Sequence, residues 1–334
     1  MTSFSQHENA RVVCSPAEKT DAVFSAVITA AGSSSRMRRS PEPFPRPSAE
    51  SGDSAKSGDS DVDAGSATDA ELEALKKEYR ILPPSLGGRK DGSGKPLTVL
   101  GAAAAAFTSD ARITSIVITV PAGPENGEYA ARKALPQDTG GGGPRIFFVP
   151  GGRTRRESVH LALSLLAAPG RAASGGAASA GTSRPPGYVL IHDGSRPWIS
   201  ASLVRAVMDA ALLYGAVIPA LPLTETPKEL EPSGESCGEG FGNGGCRHPP
   251  AAGFIRRHLR RSSVLTAQTP QCFPFPKILA AHEKAAEKER GGFEYTDDAE
   301  IWGEFCGPVA VIAGDPVNRK ITFPEDLETR ALTR

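Results

Sequence analysis

Six short, almost unbroken apolar runs constrain this chain more than any other feature; they lie at residues 23–29, 115–120, 145–149, 188–192, 216–221 and 309–313. They are of strand length. Continuous rather than alternating apolarity belongs to strands buried on both faces. Helix-like stretches lie between and after them, at 98–107, 156–167, 202–214, 276–289 and 298–306. Strands alternating with helices imply βαβ units and a mainly parallel sheet in an α/β fold. Such sheets bind ligands beyond the carboxyl ends of their strands, so the polar residues after each apolar run are where chemistry is to be sought.

The 36 glycines and 29 prolines are partly concentrated in four segments that interrupt this pattern. Residues 40–70 are rich in Pro, Ser, Asp and Gly and repeat SGDS at 51–54 and 57–60; 134–144 end in a glycine run; 168–186 are Ala, Gly and Ser; 231–252 are Gly, Pro and Glu. These read as insertions into one domain spanning 23–334, behind a polar extension at 1–22. The 40–70 segment lacks the apolar surface to offset its chain entropy and is expected to be disordered.

Lys and Arg total 38, as do Asp and Glu. A balanced charge argues against a nucleic-acid or membrane-surface partner, either of which calls for a basic excess. No apolar run approaches the ~18 residues that span a bilayer. Five scattered cysteines do not make a disulfide framework, so a reducing cytoplasm is the expected compartment. Cys237, Cys246 and His248 lie close together, but their spacing fits no zinc pattern and they read as loop residues.

Three strand-end segments carry candidate chemistry. The first run leads into Ala30-Ala31-Gly32-Ser33-Ser34-Ser35-Arg36, small residues that let backbone N–H groups approach phosphates, followed by a guanidinium. A tight turn with no ligand fits the same residues. The fourth run ends in His192-Asp193-Gly194-Ser195-Arg196, where Asp193 could hold Mg²⁺ or cap the next turn. Near the C-terminus, Asn318-Arg319-Lys320-Ile321-Thr322 precedes a helix start with an acidic first turn, and Lys320 alone would pass for a surface lysine.

Together with KKEY (76–79), GGRTRRESV (151–159), AQTPQCF (267–273) and YTDDAEI (295–301), these segments resemble the 2-C-methyl-D-erythritol 4-phosphate cytidylyltransferase family in order and approximate spacing. The resemblance implies a doubly wound, Rossmann-like nucleotidyltransferase with a protruding β-arm at about 222–264. It implies transfer of CMP from CTP to a sugar-alcohol phosphate, with pyrophosphate released and Mg²⁺ as cofactor. It also implies a homodimer with sites shared across the arms.

Residue by residue, it implies Arg36, Lys77 and Lys320 as catalytic cations. Lys76 rivals Lys77, and the register favours Lys77. Ala30, Ala31, Gly32, Ser34, Gly151, Gly152, Ser158, Asp193 and Gly194 would bind CTP, with Asp193 also toward the metal. Arg196, Thr226, Arg261 and Thr296 would bind the acceptor, with Arg257 and Arg260 as rivals of Arg261. Ser34 stands where the family carries a second glycine, Gly194-Ser195 where it carries two alanines, and Arg260 where it carries an aspartate. A ribitol-5-phosphate cytidylyltransferase, or a nucleotide-binding relative without catalysis, are the alternatives.

Overall fold

The computed structural model describes residues 22–32, 77–122, 126–136, 142–168, 185–231 and 254–327. The insertion at 40–70, together with Ser34, Arg36, Lys76, Cys237, Cys246 and His248, lies outside the described residues.

The six apolar runs form strands β1 (Phe24–Thr29), β2 (Ile113–Val120), β3 (Arg145–Pro150), β4 (Tyr188–Asp193), β5 (Val217–Pro222) and β10 (Ala310–Ala313). Four further strands are β6 (Lys228–Leu230), β7 (Ile255–His258), β8 (Leu265–Ala267) and β9 (Gln271–Pro274). The helices are α1 (Val99–Ala105), α2 (Asn126–Ala134), α3 (Arg155–Ala167), α4 (Ala201–Tyr214), α5 (Phe275–Arg290) and α6 (Asp298–Phe305). The main sheet runs β10-β5-β9-β4-β1-β2-β3. β3, β2, β1 and β4 pair in parallel, as do β5 and β10, while β9 enters antiparallel between β4 and β5. β8 pairs antiparallel with β5, and β6 with β7 makes a separate two-stranded arm.

Strand periodicity sorts the core. Phe24, Ala26 and Ile28 of β1 face α1, α2 and α4 through one apolar cluster; Val27 faces α3, α5 and α6 through another. The central strands are thus covered on both faces, which is why they read as unbroken apolar runs. Ser25 and Ser115 interrupt them side by side, both fully buried and satisfied by a 2.7 Å bond between their hydroxyls. A third, smaller cluster of Leu82, Leu86, Leu97, Val99, Ala102 and Ile321 lies beside the sheet.

Short polar residues start the helices. Thr98, Thr154, Ser200 and Asp297 each accept a hydrogen bond from a backbone N–H three residues on, as N-caps do. From β1 the chain moves through α1 toward β2; from β4 it moves through α4 toward β5. The adjacent strands β1 and β4 therefore flank the switch point of the sheet, and their ends meet there, Thr29 opposite Asp193.

Candidate active site

The loop after β1 lies close against its neighbours. The Ala30 N–H donates to the carbonyl and hydroxyl of Thr119 at 3.2 and 3.1 Å. A Cβ at Gly151 would come within 2.2 Å of the Ala31 Cβ, and one at Gly194 within 2.9 Å of the Thr29 carbonyl. Only glycine permits both approaches. Gly152 N–H donates to Ser158 Oγ at 3.0 Å, and that hydroxyl donates to the Thr154 carbonyl at 2.9 Å. The Ser158 proton is thus spent within the chain, and the oxygen keeps only acceptor capacity for anything else.

Asp193, 6% exposed, gathers positive charge. Its Oδ2 lies 3.0 Å from Lys320 Nζ and 3.2 Å from Arg196 Nε, and its Oδ1 lies 3.9 Å from Arg155 Nε. Burial pushes this carboxyl up, but Lys320, Arg155 and Arg196 outweigh it and hold the group far below the usual carboxylate range. The Asp193 N–H donates to Thr269 Oγ1 at 3.1 Å, and Thr269 Oγ1 lies 3.0 Å from His192 Nδ1. His192 is fully buried; burial, aided by Arg196, lowers its pKa to about 4, so the ring is neutral near pH 7. The Arg196 carbonyl, 3.4 Å from Nε2, can only accept, which places the imidazole proton on Nε2 and leaves Nδ1 to accept from the Thr269 hydroxyl.

Lys77 arrives from a separate segment. It opens the 3-10 turn Lys77–Tyr79, and its Nζ donates to the Ile321 carbonyl at 2.7 Å, next to Lys320. Ile321 N–H donates to the Ser195 carbonyl at 2.9 Å, and Arg196 Nη1 donates to the Asn318 carbonyl at 2.9 Å. Fully buried Asn318 is fixed in turn by its Nδ2, which donates to the Thr269 carbonyl at 2.8 Å.

Sequence reasoning assigned no role to Arg155, in the first turn of α3. Besides facing Asp193, its Nη2 lies 2.7 Å from Oδ2 of fully buried Asp298, whose Oδ1 lies 3.2 Å from His282 Nε2. Burial works to raise the Asp298 pKa, but Arg155 first and His282 second bring it down to about 2. The available signal was the spacing itself. Arg155 follows the Thr154 cap, so it leaves the same turn that carries Gly151 and Gly152.

The acceptor candidates separate. Arg196 lies against Asp193, whereas Thr226, Arg261 and Thr296 are exposed, and none of the three bonds to Asp193. Arg261 Nη1 donates to the Thr224 carbonyl at 2.7 Å, across the foot of the arm. Thr296 donates through its N–H and its hydroxyl to Glu300, each at 2.8 Å. Arg257 pairs with Glu229 at 2.7 Å, and Arg260 precedes the turn Arg261–Ser263. A separate cavity of about 380 Å³, lined by Arg89, Lys90, Leu97, Leu135 and Ile146 among others, includes none of the residues gathered around Asp193.

A family model described as 2-C-methyl-D-erythritol 4-phosphate cytidylyltransferase matches residues 93–237 and 247–332. A bifunctional enzyme IspD/IspF of Nitrobacter hamburgensis is 36% identical over 177 residues, 53% of this chain and 35% of that protein. A 2-C-methyl-D-erythritol 4-phosphate cytidylyltransferase of Geobacillus thermodenitrificans is 32% identical over 182 residues, 54% of this chain and 62% of that one. The chain thus spans less than two thirds of the length of either relative. In fold it is similar to 4-diphosphocytidyl-2C-methyl-D-erythritol synthase from Anaerococcus prevotii, with a TM-score of 0.58 at 22% identity over 94% of this chain and 96% of that one.

Proposed function

The chain belongs to the 2-C-methyl-D-erythritol 4-phosphate cytidylyltransferase family, and on that footing we propose that it transfers CMP from CTP to 2-C-methyl-D-erythritol 4-phosphate, releasing pyrophosphate. The observation that carries this reading is the meeting of Lys77, Lys320, Arg196 and Arg155 around and beside one ionised carboxylate at the switch point of the sheet.

An oxygen of the acceptor's phosphate attacks the α-phosphorus of CTP in line. The bond from that phosphorus to the oxygen bridging to the β-phosphate breaks, and its electron pair leaves with pyrophosphate. No covalent enzyme intermediate is needed, so the protein's part is positioning and neutralisation of charge. Lys77 and Lys320, with Arg36 outside the described residues, are the cations proposed for the α-phosphate oxygens and the leaving group. Asp193 holds Lys320 and Arg196 in place for that task.

The loop of Ala30, Ala31 and Gly32 is proposed to seat the triphosphate, Ala30 anchoring it through its N–H to Thr119, with Ser34 outside the described residues, while Gly151, Gly152 and Ser158 are proposed for the base. A Ser158 oxygen limited to accepting suits the exocyclic amino group of cytosine and not the carbonyl of uracil. Asp193 suits Mg²⁺, since a single ionised carboxylate is enough for an ion that keeps its other positions for phosphates and water; the ion would neutralise phosphate charge there. Among the described residues no cluster of three His, Cys, Asp or Glu offers a protein-only cage. Arg196, Thr226, Arg261 and Thr296 are proposed for the acceptor, the arm reaching into the site of a second subunit. The cytoplasm is the proposed compartment; among the described residues no helix is long and apolar enough to cross a membrane.

Purified protein with CTP and Mg²⁺ should release pyrophosphate with 2-C-methyl-D-erythritol 4-phosphate. Release only with ribitol 5-phosphate would keep the nucleotide half and change the acceptor. Release with neither acceptor overturns the proposal.

A further inference from the structure

Trp198 belongs to one chain segment that brings a cation to the site, that of Arg196, and touches two others, those of Lys77 and Lys320. Its indole Nε1–H donates to the Leu86 carbonyl at 2.7 Å. Leu86 closes the turn Pro84–Leu86, a few residues after the turn that carries Lys77. The guanidinium of Arg319 lies over the indole ring, 4.9 Å from its centroid, and Arg319 is the neighbour of Lys320. Trp198 itself stands two residues beyond Arg196. Its ring packs on the small third cluster, in which Ile321 is fully buried and Leu86 nearly so.

Direct ties among these segments run pairwise among the described residues. Lys77 donates to the Ile321 carbonyl, Ile321 N–H to Ser195, and Arg196 to Asn318. None of these bonds on its own joins all three segments. Trp198 does so with one rigid side chain, through a directional N–H bond on one edge, a cation on its face and apolar contact beneath.

We infer that Trp198 is a positioning residue: with Arg319 as its partner it clasps the segments of Lys77, Arg196 and Lys320 into one register, and so sets the spacing of the two lysines. The inference rests on the proposed roles of those lysines. It differs from a packing role in what it demands. Packing asks for an apolar group of the right size. A clasp asks also for the N–H and for the cation on the ring, and its loss is felt in turnover before it is felt in folding. Misplacing a reacting group by about an ångström costs on the order of 100-fold in rate.

Trp198→Ala, Trp198→Phe and Arg319→Ala in the full chain test this. At a temperature well below the melting point of each, kcat should fall by ~30–100-fold for Trp198→Ala and by ~3–10-fold for Trp198→Phe and Arg319→Ala, with the KM for CTP changing by less than ~3-fold. Partial rescue by phenylalanine measures the share carried by the N–H bond. Unchanged kcat in Trp198→Phe and Arg319→Ala, alongside an active wild type, overturns the inference and leaves the proposed function standing. A second readout needs no turnover. The chain has two tryptophans, Trp198 and Trp302. In protein labelled with 5-fluorotryptophan, Lys77→Ala and Arg319→Ala should each move the ¹⁹F resonance of Trp198, assigned by its loss in Trp198→Phe, and leave that of Trp302 in place. A Trp198 resonance indifferent to Lys77→Ala sinks the clasp even if the chain proves inactive with every acceptor.

Discussion

Asp193 and Glu229 are both carboxylates facing two or more cations, yet their surroundings differ. Asp193, at the carboxyl end of β4, is 6% exposed and lies 3.0 Å from Lys320 and 3.2 Å from Arg196. Glu229, on the arm, meets Arg257 and Arg256 at 2.7 and 3.6 Å, but those arginine side chains are 68% and 61% exposed. At the sheet end two of the partners are themselves held, Arg196 by the Asn318 carbonyl and Arg155 by buried Asp298. On the arm, solvent competes for every charge. The same ion-pair chemistry therefore fixes geometry in one place and leaves it adjustable in the other.

The largest effect is expected where the fixed region meets the reaction. Lys320→Ala should lower kcat by about 10²–10³, or ~3–4 kcal/mol of barrier, by analogy with loss of one oxyanion donor. CTP binding, measured by calorimetry, should survive. Near-full activity would show that charges tied together at Asp193 serve structure alone.

Next comes the pH dependence of stability, which the fixed region should dominate. His192 has its folded pKa lowered from 6.5 to about 4, so its neutral form stabilises the fold above pH 6.5, and that contribution, ~3 kcal/mol, is lost as pH falls from 6.5 toward 4. Asp298 is lowered from 3.8 to about 2, so its share, about 2 kcal/mol, is present above pH 4 and lost as pH falls toward 2. Asp193 shifts in the same direction and adds to the second window. Urea unfolding across pH should show both slopes. Asp298→Asn should flatten only the lower one, and an unaltered lower slope would detach the Arg155–Asp298 pair from stability.

Arg261→Ala should raise the KM for the acceptor by about tenfold while kcat, CTP binding and melting temperature hardly move, as fits a group that contributes to ground-state and transition-state binding alike. Mixed with Lys320→Ala under conditions of subunit exchange and assayed at acceptor concentrations well below its raised KM, it should recover activity if arms are shared between subunits. Exchange without recovery would place each site within one chain. The smallest effect belongs to Arg257→Ala, which should change stability by less than ~0.5 kcal/mol, as exposed pairs do. A loss of several kcal/mol in chemical denaturation would mean that the arm is as fixed as the sheet end.

The same contrast governs what the sequence made legible. β1, β2, β4 and β5 are covered by helices or neighbouring strands and could be read as apolar runs to within a residue or two. β6 and β7, KEL and IRRH, are held by backbone bonds between exposed charged residues, which leave no apolar period. β9 is four residues ending in Pro274, and its antiparallel entry between β4 and β5 is a tertiary event that no local pattern encodes. α2 begins Asn126-Gly127, residues that read as a turn. In the site, Asp193 and Arg196 could be found because they lie at and just beyond a strand end, and Lys320 because of the family resemblance of its segment. Arg155 offered only its place after the Thr154 cap, because its partner Asp298 stands 143 residues away and its meaning lies in that contact.

One consequence follows from the imidazole of His192. A histidine beside the reacting groups invites assignment as the base that activates the nucleophile. With its pKa lowered to about 4 and both nitrogens hydrogen-bonded within the chain, this one is too weak and too engaged a base to take a proton near pH 7. In the proposed reaction, activation of the nucleophile then falls to the acceptor itself, whose phosphate would complete its own ionisation near pH ~6. An inflection in the pH–rate profile around that value would belong to the acceptor, and should move when an acceptor with a more acidic phosphonate replaces the phosphate.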